Sequence, residues 1–178
     1  MVDYKIMLFD NYDVYKDYDK ELEYVGILFI DGEKDILLSI IYMRDLFKKF
    51  HKNCGIFKHS KGIDIFISPL FMEQYKNKTD LFAALMFHEL GHYVNGDLSD
   101  ENFKNLDKRN DFINTGKVSD MEIKADAFAA AYVGKALMIQ ALNNVINERK
   151  IRNDEYADLA IRELKERIRI LNKNKTIL

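Results

Sequence analysis

The sequence predicts an α+β fold, and three observations predict it. Residues 4–9 and 22–30 are rich in β-branched and aromatic residues, the composition of strands. Residues 80–95 are apolar on most sides, as in a helix buried in a core. Residues 119–147 and 154–173 carry helical patterns towards the C-terminus. With 178 residues, 48% of them hydrophobic and 31% charged, the chain is expected to form a single domain. Its parts are N-terminal strands and a helix (1–55), a central core (56–147) and a C-terminal helix (148–178).

In order along the chain, Asp31-Gly32 supplies a turn after the second strand. Over residues 33–52 the apolar side chains Ile36, Leu37, Ile40, Ile41, Met43, Leu46, Phe47 and Phe50 recur at three and four, which predicts an amphipathic helix. Residues 55–68 place a His-Ser-Lys-Gly turn between two apolar stretches. The second of these, 63–68, reads as a strand that Pro69 stops. Thr79 can cap the helix of residues 80–95, Asp80 suits its positive N-terminus, and Asn95-Gly96 provides a left-handed stop. Residues 97–118 are polar and read as a long connection or lid. Residues 119–147 read as one alanine-rich helix whose small side chains permit close approach to a neighbour. In the last helix Ala157, Ile161, Leu164, Ile168 and Leu171 alternate at four and three, which predicts a cover packed on the core.

Charge and composition exclude several function classes. Twenty-seven basic against 29 acidic residues, well interleaved, leave no basic stripe for nucleic acid. The longest charge-free stretch, 136–147, is too short to cross about 30 Å of hydrocarbon, so no membrane association is expected. The lone cysteine, Cys54, forms no internal disulfide, and the four-residue apolar run at 6–9 is no signal peptide. A cytoplasmic protein is expected.

The chemistry lies inside the buried helix, in His88-Glu89-Leu90-Gly91-His92. Histidines four apart differ by about 40° around a helix, so both imidazoles can reach one zinc ion. Glu89 lies beside that face, where it can take a proton from a water without being a ligand. At this chain's own His and Glu frequencies, roughly 0.005 chance matches are expected. Satisfied core histidines are the bland alternative, but burying two of them with a glutamate costs a few kcal/mol unless something binds them.

A catalytic zinc takes three protein ligands. No histidine follows His92, so a downstream third ligand is a carboxylate. Glu122 is the foremost candidate, with Asp126 one turn on and able to orient a ligating histidine through its ring N–H. Asp97, Asp100 and Glu101 are the runners-up. Ser119-x-x-Glu122 is also a capping box, in which Glu122 would fold back on its own helix.

The pattern of residues 88–92, followed by Glu122 and Asp126, resembles the gluzincin metallopeptidases, HExxH and then a glutamate helix with an aspartate four residues on. Within them it is similar to the soluble core of the heat-shock and CaaX-type membrane proteases and to the small ImmA/IrrE-type metallopeptidases. The resemblance covers about residues 62–135. It implies a zincin-like core: a small mixed or antiparallel sheet packed on an active-site helix and a glutamate helix. It also implies one Zn2+ per chain held by His88, His92 and Glu122, with Glu89 as the catalytic base of a metalloendopeptidase acting on protein or peptide substrates. The substrate would lie along residues 63–68 by strand addition. Tyr93, Tyr132, Arg149, His51 and His59 are the candidates for stabilising an oxyanion. The competing reading is an inactive zinc-binding regulatory or interaction protein on the same scaffold.

Overall fold

The computed structural model describes residues 4–8, 16–17, 22–30, 34–41, 54–59, 62–98, 112, 115–152 and 157–173. The fold is a mixture of α and β, with more of the described chain in helices than in strands. Two compact units divide it, residues 1–79 and 80–178.

The first unit carries a mixed sheet. Strand β1 (Tyr4–Leu8) and the short β2 (Lys16–Asp17) both pair antiparallel with β3 (Leu22–Ile30). β3 pairs antiparallel with β4 (Lys34–Ile41), Ile30 opposite Lys34. β5 (Cys54–His59) and β6 (Gly62–Ile67) form a hairpin with His59 opposite Gly62, and β6 runs parallel to β4. The order is β1-β3-β4-β6-β5.

The helix expected over 33–52 is therefore corrected: residues 34–41 are strand, and 42–52 lie outside the described residues. The stretch 36–41 is five apolar residues interrupted only by Ser39, in part β-branched. Such a short run behind an Asp-Gly turn suits an interior strand as well as a helix, and pairing with both β3 and β6 decides it. The same topology corrects the substrate-lining role of residues 63–68. β6 is bonded to β4 on one side and β5 on the other, so it offers no edge to an added strand.

Pro69 ends that strand and opens helix α1 (Pro69–Tyr75), a helix the sequence reading lacked. Proline at the first position loses no bond there, and Ser68 Oγ accepts from the Phe71 N–H at 3.0 Å. Ile65, Ile67, Phe71, Met72 and Tyr75 are buried, and the Phe71 and Tyr75 rings stack at 4.5 Å.

The second unit is helical: α2 (Thr79–Val94), α3 (Asp120–Val133), α4 (Lys135–Arg152) and α5 (Ala157–Lys173). Residues 119–147 are not one helix. Gly134, at φ 88° and ψ 143°, separates α3 from α4, a backbone conformation that glycine adopts at little cost. α3, α4 and α5 contact one another pairwise. No described helix is long and apolar enough to cross a membrane.

Candidate metal centre

Every residue of α2 from Leu81 to His92 is buried. Its crossing with α3 is set by Gly91: a Cβ there would lie 2.9 Å from the Cα of Ala125 and 3.2 Å from the Cβ of Phe128. Absence of that one atom lets the two backbones come together. His88 and His92 flank Gly91 on α2 as Glu122 and Asp126 flank Ala125 on α3, so the close approach brings all four side chains to one place.

His88 Nε2 lies 3.2 Å from Glu122 Oε2, and His92 Nε2 lies 3.6 Å from Glu122 Oε1. Donor atoms of His88, His92 and Glu122 lie within 4.8 Å of one another, and these three residues could hold a metal ion. Ser119 caps α3 by accepting from the Glu122 backbone N–H at 3.3 Å. The capping half of the sequence expectation is therefore present, while the Glu122 side chain reaches the histidines.

The other ring nitrogens have carboxylate partners. His88 Nδ1 is 2.8 Å from Asp126 Oδ1, and His92 Nδ1 is 2.9 Å from Asp97 Oδ2. Asp97, a candidate ligand by sequence, is thus placed behind His92 and not at the ligand point. The helix stop puts it there. Gly96, at φ 77°, makes the left-handed turn, Gly96 N–H bonds Tyr93 O, and Asp97 N–H bonds His92 O, which folds Asp97 back over the last turn.

The sequence reading missed Arg167. Its Nη1 is 2.8 Å from Glu122 Oε2, its Nη2 is 2.5 Å from Asp126 Oδ1, and its Nε donates to Asp126 Oδ2 at 2.8 Å. Nη2 also lies 3.2 and 3.4 Å from the two nitrogens of His88, a contact with the ring and not a bond to one atom.

These groups set one another's charge. Burial and the Arg167 charge both push His88 down, but hydrogen bonds to Asp126 and Glu122 outweigh them and raise it to about 9. Burial and the neighbouring His88 hold His92 below its ordinary value, against Glu122, Glu89 and Asp97. Burial alone would raise the Glu122 and Asp126 carboxyls; Arg167 and His88 more than offset it and keep both below the usual carboxylate range. Arg167 is itself raised, burial being outweighed by the two carboxylates.

Glu89 is buried at 8% exposure, and its charge reaches His92. Of the residues considered for an oxyanion, Tyr93 is exposed and Tyr132 packs between Phe87 and Phe128, its ring 4.6 and 4.7 Å from theirs. Arg149 lies on α4 and His59 in β5. His51, Asp100, Glu101 and most of the expected lid at 97–118 lie outside the described residues. In comparisons with known proteins, no family model, no curated protein and no solved structure matches this chain.

Proposed function

We propose that the chain is a gluzincin-type zinc peptidase, hydrolysing peptide bonds with Glu89 as its proton-transfer group. One observation carries the reading: each imidazole meets a buried carboxylate at Nδ1, and the two Nε2 atoms both face Glu122. A carboxylate behind the ring fixes the tautomer and orientation of a ligating histidine, so this pairing is what a metal site requires. Two imidazoles and one carboxylate fit catalytic zinc, which takes three protein ligands and keeps a position open. The single Cys54 rules out the cysteine-rich sets of structural zinc.

Zinc, when bound, supplies Lewis acidity that polarises a peptide carbonyl and makes water acidic. His88, His92 and Glu122 would hold it, while Asp126 and Asp97 keep the rings aimed. Glu89 takes the proton of the attacking water and hands it to the departing amine nitrogen as the C–N bond breaks. A purely structural zinc site has no use for a general base, so Glu89, next to His88 in the chain, supports the peptidase over an inactive zinc-binding regulator.

The test has two parts. Purified protein refolded with zinc should hold close to one ion per chain; less than about 0.3 would remove the ligand assignment. Wild type and Glu89→Gln are then compared on a peptide library. Metal kept and cleavage lost in the variant is the expected result, whereas equal cleavage by both removes Glu89 as the base. Zinc bound with no cleavage by either moves the weight to the regulator.

A further inference from the structure

The ligand motif explains why α2 and α3 carry polar groups inward, but not why α5 does. Arg167 is buried, its side chain 10% exposed, and it stands on a helix whose other buried residues are apolar. A buried arginine between two carboxylates can be a plain ion pair. Here the two carboxylates both touch His88, and the arginine's contacts divide between them. Nη1 takes Glu122 while Nε and Nη2 take both oxygens of Asp126, whose Oδ1 in turn meets His88 Nδ1.

Glu122 and Asp126 are like charges one helical turn apart, so they repel. Arg167, in contact with both, offsets that repulsion. Asp126 is enclosed at 2% side-chain exposure and has no way out, whereas Glu122 is 21% exposed and does. The carboxylate with room to turn is thus the candidate ligand. The planar guanidinium, with donors in fixed directions, can hold both carboxylates at once; an ammonium is a point charge without that fork.

We infer that Arg167 is a positioning residue of the metal centre: it holds Glu122 towards the histidine pair, holds Asp126 on His88, and makes α5 part of the site. This rests on His88, His92 and Glu122 being the ligands.

The test is metal affinity of the full chain, measured with Zn2+ by chelator competition and with Co2+ by visible absorption, which reports coordination geometry. Arg167→Lys keeps the charge and loses the fork; its zinc affinity should fall about 10- to 100-fold, the range for partners behind a ligand, with an altered cobalt band. Asp126→Asn should weaken binding too, and the double variant should lose less than the two single losses multiplied together, since both act through one contact network. Arg167→Gln should lose at least as much as Arg167→Lys; if it fails to fold, the lysine variant decides. Wild-type affinity and spectrum in Arg167→Lys, or tighter binding in either Arg167 variant, would overturn the inference alone. A wild-type chain that binds neither metal overturns it together with the zinc reading.

Discussion

The two units differ in the polar groups they enclose among the residues whose burial is described. Among the described residues of 1–79, the buried polar residue is Ser68, whose hydroxyl caps α1. Among those of 80–178 the buried polar set is His88, Glu89, His92, Asp97, Asp126 and Arg167. An enclosed cap satisfies one backbone N–H and costs nothing further, while six enclosed ionisable groups must be paired or must bind something to be tolerated. The contrast teaches that, among the residues whose burial is described, the enclosed ionisable groups belong to the helical unit, where His88, His92, Asp97, Asp126 and Arg167 stand in contact with one another or with Glu122.

The strongest way to break the comparison is at Glu122, which touches both histidines and Arg167. Glu122→Ala should weaken zinc binding by more than about 100-fold, beyond the loss typical of partners behind a ligand. Isothermal titration of the refolded chain measures this; unchanged affinity would return Glu122 to its capping role. Next in size is Gly91. Adding a methyl in Gly91→Ala drives a Cβ against the Ala125 backbone, which cannot yield as a flexible side chain can. A stability loss of about 1–3 kcal/mol in denaturant unfolding is expected, with weaker zinc binding because the two ligand helices move apart. Retained affinity at full stability would show that the crossing does not set the ligand distances.

How much of this was legible in sequence follows from how local each feature is. His88 and His92 declare themselves because their four-residue spacing is already a geometry on a helix, and Glu122 with Asp126 shares that property. Arg167 does not, since Asp126 and His88 lie 41 and 79 positions away, with Glu122 between them in sequence, and only the fold brings them together. A signal was present all the same. The buried stripe of α5 runs through Ala157, Ile161, Leu164, Arg167 and Leu171, three from Leu164 and four from Leu171, so an arginine stands in register where Ile168 was expected. Residues 34–41 misled for the opposite reason: a short apolar run satisfies both periods, and the deciding pairings with β3 and β6 are non-local. The break at Gly134 was visible as a glycine inside a helical pattern, and its positive φ is what the pattern could not express.

Two smaller effects sharpen the contrast. Gly96→Ala places a side chain at φ 77° and should cost about 1 kcal/mol. It should also reduce zinc affinity, because the same turn delivers Asp97 to His92; a stability loss with affinity intact would detach Asp97 from the site. Ser68→Ala is the control from the other unit. It removes the acceptor for the Phe71 N–H and should cost about 1 kcal/mol in unfolding, similar to Gly96→Ala or less. Its zinc affinity should equal that of wild type, because the Ser68 hydroxyl serves the first turn of α1. Equal stability losses with unequal metal affinities would separate a polar group that maintains the fold from one that maintains the site. If zinc affinity falls in Ser68→Ala as well, the two units are coupled and the division between them is not the one that matters for binding.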